Sequence, residues 1–372
     1  MIELIRQRVL PHYSISANSA IAASGALTAS ETMAGEIKIS PLGNGHINDT
    51  FLVRAGGTEL VLQRLNTQVF PDPWTLVNNA ALIDAHLQRQ QAAGRFRLQR
   101  IDPKLTLDGK LALDLGTDGF WRAIRFLPHS TSLEVVGSVA EARQAAAAFG
   151  HFAMALSDFD ASLLGDVIPN FHHLPGRMAQ LQQAVAADKA GRVAECQDWL
   201  SFVQQQQPLL DELAQTLPNL PLRVCHNDTK INNMLFDKRD GSAMAIIDLD
   251  TCMRGQLMYD FGDMVRTFTS PEAEDSRNLD QVRVRPEMFA AICEGFLGEL
   301  GSVLTDAERH SLWLGARVMC LMIGVRFLTD HLNGDVYFHI QREGHNLDRA
   351  ANQFSLYLSL LAQADSLKAC LS

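Results

Sequence analysis

Three polar side chains in the middle of the chain have the types that phosphoryl transfer requires. Asp228 and Asn233 are five positions apart, and Asp248 follows a short apolar run. A carboxylate can orient an acceptor hydroxyl and take its proton, while an amide oxygen and a second carboxylate can hold Mg²⁺ on nucleotide phosphates. The pattern therefore predicts Asp228 as the catalytic base and Asn233 and Asp248 as metal ligands.

The order and spacing of these residues argue that they belong to one site. Five positions is the spacing between the base and the metal-binding Asn of a kinase catalytic loop. Two apolar runs, Met234–Phe236 and Ala245–Ile247, flank a turn at Asp240-Gly241 and predict a hairpin that returns Asp248 beside Asn233. Taken singly, each residue is better explained as an ordinary loop residue that satisfies backbone amides.

A glycine-containing loop and a basic residue in the first part of the chain indicate a phosphate site. Glycines in Gly43-Asn44-Gly45-His46 allow close approach of the backbone to a phosphate, although a simple hairpin turn is the alternative. Arg64 ends an apolar strand, where a kinase usually places a phosphate-binding Lys. The one acid on the following helix, Asp84, is interpreted as a solvated surface residue.

The elements that must position these residues differ between the two parts of the chain. Residues 12–33 predict a loop or mobile arm. The first part then predicts an antiparallel sheet and one helix. The strands are expected at Phe51–Val53, Leu60–Leu62, around Leu105 and Leu111, and at Trp121–Phe126, and the helix at Trp74–Gln91.

The second part is mostly helical, apart from the hairpin. Helices are predicted at Val139–Leu156, Met178–Asp188, Gln197–Leu217 and throughout the region after Pro286. The expected fold class is α+β with two lobes, a small antiparallel-sheet N-lobe over residues 1–128 and a mostly helical C-lobe over residues 129–372.

Composition narrows the class of protein. The 372 residues are 47% hydrophobic and 20% charged, the balance of a globular protein, and the net charge of −10 disfavours nucleic-acid or membrane-surface binding. Six cysteines without a CxxC pair indicate reduced thiols. The segment Met1–Pro11 lacks the apolar run of an export signal, and Leu312–Leu328 is interrupted by Arg317 and Arg326. We therefore expect a cytoplasmic enzyme.

Together with several further motifs, these residues resemble the aminoglycoside phosphotransferase-like superfamily of small-molecule kinases. The resemblance runs from Ile37 onward. It is carried by Gly43–Asn48, Gln63–Asn66, Phe70–Asp72, Trp121-Arg122, Asp188–Arg192, His226–Asp250, Asp260–Asp263, Arg326–Leu328 and Gly334–Phe338.

The resemblance implies a protein-kinase-like fold and Mg²⁺-dependent transfer of the γ-phosphoryl group of ATP. Its closest features are those of members that phosphorylate the anomeric hydroxyl of GlcNAc or GalNAc. It implies catalysis by Asp228, metal binding by Asn233 and Asp248, and an adenine hinge formed by the backbone of three residues. The hinge is Phe126-Leu127-Pro128, and the implied sugar contacts are His46, Asp228, Thr251, Arg326 and Tyr337.

Some of these assignments have structural alternatives. Arg326 could pair with Asp330 one helical turn later, and Tyr337 could belong to the core. The acid that the family carries on the helix after Arg64 is replaced by Ala81. Asp260 and Asp263 are expected to brace the catalytic loop and not to bind metal, despite the sequence Asp-Phe-Gly.

Three rival functions remain at this stage. The first is a kinase of the same fold that acts on another sugar or on an amino alcohol. The second is a metal-dependent phosphohydrolase with His226, Asp228, Asp248 and Asp250 as ligands, which leaves the spacing to Asn233 unexplained. The third is a nucleotide-binding module without catalysis, although every chemical role has a candidate residue.

Overall fold

The computed structural model describes residues 1–15, 37–43 and 47–371. Most of the loop predicted at residues 12–33 lies outside these ranges, as do Asn44, Gly45 and His46. Within the described chain, a sheet-containing N-terminal part is followed by a mostly helical part, so the predicted α+β class is confirmed. The division at residue 128 stays a prediction.

The N-terminal part is built on an antiparallel sheet with the order β1-β2-β3-β6-β4, in which β5 also pairs with β6. The hairpin between β2 and β3 turns at Gly56-Gly57, where both residues have positive φ, a conformation that favours glycine. This hairpin was predicted. The strands are β1 Lys38–Pro41, β2 Asp49–Ala55, β3 Thr58–Leu65, β4 Pro103–Lys104, β5 Ala112–Asp114 and β6 Phe120–Arg125.

One face of this sheet is covered by the first residues of the chain, for which the sequence predicted no element. The short helix α1, Ile2–Leu4, continues through further helical turns as far as His12. Ile5 and Val9 are four positions apart, so both point at the sheet, and both are fully buried against the side chains of β2, β3 and β6.

The helix α2, Pro73–Ala92, follows the third strand as predicted. Asp72 caps it by accepting the Thr75 N–H at 3.2 Å, and Pro73 occupies the first turn, where no N–H is needed. Leu76 and Val77 pack on a separate apolar cluster beneath the sheet. The helix also contacts the C-terminal part, because its Ile83 and Leu87 belong to the core that the later helices share.

Nine α-helices follow α2 in the described chain. Their shared core contains the helix α9, whose most apolar 18-residue window is long and apolar enough to span a membrane but is 83% buried inside the protein, as in a core helix. The helices are α3 Val139–Ala155, α4 Leu174–Ala187, α5 Gln197–Gln204, α6 Gln207–Thr216, α7 Leu257–Phe268, α8 Pro286–Leu300, α9 Asp306–Leu332, α10 His345–Ala362 and α11 Ala364–Lys368.

The single helix predicted at Gln197–Leu217 was wrong. The chain forms two helices, α5 and α6, separated at Gln205-Gln206. Pro208 is the cause, because it has no N–H and its ring would clash with the carbonyl group of the preceding turn. It sits instead in the first turn of α6, where proline is tolerated.

Two small sheets frame the chemistry-bearing segments. One has the order β10-β9-β7 and contains the predicted hairpin, and the other pairs β8 with β11. The segment 226–233 connects β8 to β9, and Asp248 follows β10 closely. These strands are β7 Ser130–Thr131, β8 Arg223–Cys225, β9 Met234–Asp237, β10 Ala243–Ile246 and β11 Met253–Gly255.

The helices α7 and α9 cross in direct backbone contact at two glycines. A Cβ atom on Gly262 would lie 2.6 Å from the carbonyl carbon of Gly315, and one on Gly315 would lie 2.7 Å from the carbonyl carbon of Met258. These distances are shorter than real Cβ contacts. The two glycines therefore hold α7 close to α9.

We expect Gly315→Ala to lower the free energy of unfolding by about 1–3 kcal/mol, because backbone atoms cannot move aside as a side chain can. The measurement is urea denaturation followed by circular dichroism. The matched control is Gly298→Ala on α8, where a Cβ meets nothing within 4 Å, so it should raise stability by about 0.5–1 kcal/mol. Equal effects of the two substitutions would contradict the close crossing.

Candidate active site

The segment after β8 is a tightly braced loop. Its backbone turns at Asn227, which has φ 64°, and the N–H groups of His226 and Asn227 donate to the Asp260 carboxylate at 2.8 and 2.7 Å. The Thr229 hydroxyl donates to the Asp260 carbonyl at 2.7 Å. Asp260 at the start of α7 therefore fixes the loop, which confirms its predicted structural role.

Asp263 also has a structural role. Its carboxylate accepts hydrogen bonds from the Nε and Nη2 atoms of Arg266 at 3.0 and 2.7 Å, within a buried ion pair on α7. In the segment Asp260–Asp263, Asp260 thus fixes the loop, and Gly262 lies at the close crossing of α7 and α9.

His226 links the loop to the strand that precedes Asp248. Its Nε2 atom lies 3.0 Å from the Ile247 carbonyl, and its Nδ1 atom accepts the Asp228 N–H at 3.3 Å. Burial lowers the pKa of His226, so the ring is neutral with the proton on Nε2. Because both ring nitrogens contact the backbone, His226 is a structural bridge and not a metal ligand.

Asp228 is the partly buried carboxylate of this loop, with 24% of its side chain exposed. Asn233 Nδ2 donates to the Asp228 carbonyl and to its Oδ2 atom, both at 2.8 Å, and Lys230 Nζ lies 2.9 Å from Oδ1. Burial opposes ionisation, but the Lys230 ammonium and the hydrogen bond from Asn233 outweigh it and lower the pKa of Asp228. The carboxylate is therefore ionised and can accept a proton. The contact from Lys230 was not predicted.

The hairpin brings Asp248 beside Asn233, as predicted. The Ile247 N–H donates to the Asn233 carbonyl at 2.9 Å, and Asp248 turns out of the strand with φ 59°. Surrounding protein and the carboxylates of Asp250 and Asp228 raise the pKa of Asp248 to about 7, although its side chain still faces solvent. The three neighbouring carboxylates concentrate negative charge, which favours the binding of a cation at this position.

This donor set fits Mg²⁺. The amide nitrogen of Asn233 is used by Asp228, which leaves its amide oxygen, and Asp248 supplies a carboxylate. Mg²⁺ prefers such oxygen ligands and often takes only one or two from the protein. Asn233 and Asp248 could therefore hold the ion as the sequence suggested.

Asp250 ties the catalytic loop region to the N-terminal sheet. Its buried carboxylate contacts the Arg122 guanidinium of β6 and accepts from Asn48 Nδ2 at 2.7 Å. Arg122 also binds Gln63 Oε1 at 2.7–2.9 Å, and Asn48 Oδ1 accepts the Asn66 N–H at 2.9 Å. Four separate motifs of the sequence therefore meet here. His226 bonds to backbone groups, and Asp250 bonds to Arg122 and Asn48. Neither is available to bind a metal ion, so the phosphohydrolase interpretation loses two of its four proposed metal ligands.

The predicted nucleotide side of the site is partly described. Gly43 has φ 74°, and Asn44, Gly45 and His46 lie outside the described residues. Arg64 lies opposite Asp49 on β2 and pairs with its carboxylate at 3.7 Å. A Cβ on Gly119 would overlap the Arg64 side chain, so glycine leaves it room. The phosphate-binding role of Arg64 stays a prediction.

The interpretation of Asp84 as a solvated surface residue was wrong. Asp84 is buried on α2 and pairs with Arg100, not with Arg64. The partner comes from a loop sixteen positions later in the chain, which a helix pattern does not reveal. Among the described residues, the ion-pair partner of Arg64 is Asp49 of β2 and not an acid of α2.

The predicted hinge connects the two parts of the chain. Phe126-Leu127-Pro128 lies between β6 and β7, and Leu127 is buried against Met244 and Ala245 of the β9–β10 hairpin. The Leu127 carbonyl accepts from the Ser130 hydroxyl at 2.7 Å. This segment is thus anchored beside the site, and its contact with adenine stays a prediction.

Arg326 and Tyr337 lie together on the other side of the site. The guanidinium carbon of Arg326 is 5.4, 5.8 and 5.4 Å from the ring centres of Phe171, Tyr337 and Phe338. Burial, and then the charge of Arg177, lower the pKa of Arg326 to about 10. Both structural alternatives were wrong: Asp330 binds other groups, and Tyr337 is 58% exposed and not part of the core.

Sequence reasoning missed a group that joins Arg326 to the catalytic loop. His172 Nε2 lies 3.2 Å from the Asn227 carbonyl, and its ring packs between Phe171 and Tyr259. Burial lowers the pKa of His172 to about 3, so it is neutral. Its Nδ1 atom and Arg177 Nε are buried without a hydrogen-bond partner among the described residues. The only signal was an aromatic and histidine run between two helices.

Thr251, which the resemblance implies as a sugar contact, bonds to the catalytic loop. Its hydroxyl donates to the His226 carbonyl at 2.7 Å, and its carbonyl accepts from Asn227 Nδ2 at 2.9 Å. The hydroxyl hydrogen is therefore committed to the loop, and only its oxygen lone pairs remain for a ligand.

These features have counterparts in known proteins. Residues 38–292, more than half of the chain, match the phosphotransferase enzyme family. The chain belongs to this family, and it is a small-molecule phosphotransferase.

Several solved structures share the fold. A microcompartment-associated aminopropanol kinase is 16% identical with a TM-score of 0.60, over 98% of this chain and 99% of that one. An aminoglycoside phosphotransferase from Alicyclobacillus acidocaldarius is 14% identical with a TM-score of 0.57, over 94% and 96%. A Plasmodium vivax ethanolamine kinase is 12% identical with a TM-score of 0.53, over 88% and 84%. Such identities establish the kinase-like fold alone.

Proposed function

We propose that this phosphotransferase moves the γ-phosphoryl group of ATP to the anomeric hydroxyl of an N-acetylhexosamine, GlcNAc or GalNAc, with Mg²⁺ as cofactor. The observation that carries the proposal is the chemistry of the acceptor side. Arg326 lies among three aromatic rings, next to the catalytic loop, and no carboxylate lies within 4 Å of its guanidinium in the described part of the chain.

This surface suits a neutral, oxygen-rich ring better than an amine. A sugar presents hydroxyls and an acetamido carbonyl, which accept hydrogen bonds from a guanidinium, and its ring can stack on an aromatic face. An ammonium group would instead meet Arg326 and Arg177, whose charges would repel it. The amino alcohol acceptors of the fold relatives are therefore less favourable here.

The residues of the site have separate roles in phosphoryl transfer. Asp228 orients the acceptor hydroxyl and takes its proton as the bond to phosphorus forms. Lys230 and Asn233 keep that carboxylate ionised and in place, since both contact it directly. Mg²⁺, when bound at Asn233 and Asp248, would neutralise charge on the transferred phosphoryl group. The three aromatic rings around Arg326 would exclude water from the acceptor.

The proposal extends to the compartment. We propose that the enzyme acts in the cytoplasm, and the support is that all six cysteines are free thiols.

The test is an ATP-consumption assay over a panel of acceptors. We expect turnover with GlcNAc or GalNAc, none with their methyl glycosides, in which the anomeric oxygen is blocked, and little with ethanolamine, choline or aminopropanol. Phosphorus NMR of the product should show coupling to the anomeric proton. Turnover confined to an amine, or a phosphate on another hydroxyl, would refute the assignment. Equal ATP loss with and without acceptor would point to hydrolysis.

A further inference from the structure

The chain reverses direction sharply after α9. The Gly334 N–H donates to the His331 carbonyl at 3.2 Å, and the Asp335 N–H donates to the Asp330 carbonyl at 2.8 Å. Gly334 and Asp335 have φ 92° and 60°. This is a Schellman motif, in which left-handed residues satisfy the last helix carbonyls. It turns residues 336–338 back toward the end of the helix.

The side chain of Asp330 binds the reversed segment. Its carboxylate accepts three successive backbone N–H groups, from Val336 at 3.0 Å, Tyr337 at 2.8 Å and Phe338 at 2.9 Å. Asn346 of α10 adds a fourth hydrogen bond at 3.0 Å. Asp330 is only 4% exposed. Hydrogen bonds to an ionised acceptor are among the strong ones, so this loop is held rigidly.

A second carboxylate anchors the same turn. Arg192 Nη1 donates to Asp335 Oδ2 at 2.6 Å and to the His331 carbonyl at 2.9 Å, and Asn346 Nδ2 donates to Asp335 Oδ1 at 2.9 Å. The family motifs at 188–192 and 334–338 are therefore two halves of one structure. Asn346 serves both carboxylates and joins them to α10.

The anchored loop presents aromatic rings to Arg326. Phe338 packs on Phe327 with ring centres 4.7 Å apart, while Tyr337 projects with 58% of its surface exposed. An exposed aromatic side chain has no packing reason to be fixed. Three successive backbone N–H groups of its loop, one of them its own, nevertheless bond to Asp330 and hold Tyr337 beside the guanidinium, which indicates that its position matters for a ligand.

We propose that Asp330 is a positioning residue for the acceptor, which acts by fixing Tyr337 against Arg326, with the Arg192–Asp335 pair as a second anchor. The inference rests on the proposed function, because it takes the Arg326 side as the acceptor site. Fixing the loop before binding removes an ordering cost from the acceptor, so the contribution falls on acceptor affinity. The affinity for ATP should not depend on the fixing of this loop.

A double-mutant cycle tests this. Asp330→Asn and Tyr337→Ala should each raise the acceptor KM by about tenfold or more, with the KM for ATP unchanged. If Asp330 acts through Tyr337, the double variant should be no worse than the worse single variant. The proposal would be overturned if the effects of the two substitutions on the acceptor KM multiplied in the double variant. It would also be overturned if the KM for ATP rose as much as the acceptor KM.

A second readout is independent of any acceptor. Hydrogen exchange of the amides at 336–338 should speed up in Asp330→Asn and stay protected in Tyr337→Ala, and unchanged exchange in Asp330→Asn would also overturn the proposal. Asp365→Asn, on the exposed face of α11, is the control and should change neither readout. If Asp330→Asn does not fold, Arg192→Gln replaces it in the cycle. The same results then support or overturn the proposal.

Failure of the proposed function would look different. It would appear as an absence of wild-type turnover with every N-acetylhexosamine. The cycle would then be measured with the acceptor that the panel identifies, and non-additive effects on that acceptor's KM would still support the role of Asp330.

Discussion

Asp228→Asn is expected to reduce kcat by about 10²–10⁴-fold while the affinity for ATP stays nearly unchanged. The substitution keeps the shape of the side chain and removes the group that takes the proton from the acceptor. It also removes the charge that pairs with Lys230 at 2.9 Å. Nucleotide binding depends on other residues, so titration calorimetry with ATP should give the wild-type dissociation constant.

The matched control is Asp240→Asn at the tip of the β9–β10 hairpin. Asp240 is exposed, and its carboxylate accepts from Ser242 of its own turn, whose N–H lies at 2.9 Å. We expect wild-type turnover from it, because an amide oxygen can accept the same hydrogen bond. Intact turnover with lost ATP binding in Asp228→Asn would reverse the assignment of the catalytic residue.

The catalytic centre was predictable from sequence because its information is local. Asp228 and Asn233 share one loop, and a short hairpin with turn residues at its tip returns Asp248 to them. Alternating apolar runs likewise determine the sheet and its turn at Gly56-Gly57. In each case, neighbours in the chain are also neighbours in space.

The acceptor side could not be derived in this way. His172 reaches the loop residue Asn227 across 55 positions of sequence, and Arg326 comes from a helix about a hundred positions further on. No periodicity connects these segments. Only the packing of α9 and of the chain before α4 around the catalytic loop brings them together.

Asp330 shows how a local rule can fail. The spacing of four positions predicts an ion pair with Arg326, worth only about 0.2–0.5 kcal/mol on a helix surface. The helix ends two residues after Asp330, and three backbone amides then become available to its carboxylate. Several charge-assisted hydrogen bonds outweigh one helix-surface pair. The same competition explains why Arg326 remains free of a carboxylate partner among the described residues.

The second large effect is expected at Asp248 and depends on pH. Desolvation by the surrounding protein and the neighbouring carboxylates of Asp250 and Asp228 raise the pKa of this acid to about 7. A proton and Mg²⁺ compete for the same carboxylate, because only the ionised form binds the ion. At low magnesium, activity should therefore fall as the pH decreases through about 7, and added magnesium should move this acid limb to lower pH.

Asp248→Asn should abolish that shift and lower kcat/KM by about 10²–10³-fold, since a metal ion supplies several kcal/mol of charge stabilisation in such a transfer. The measurement is a set of pH profiles at several magnesium concentrations with free ATP held constant. Asp240→Asn should keep the wild-type shift. An acid limb that stays at one pH over the whole magnesium range would mean that Asp248 does not bind the ion, and Asn233 would then need another partner to hold it.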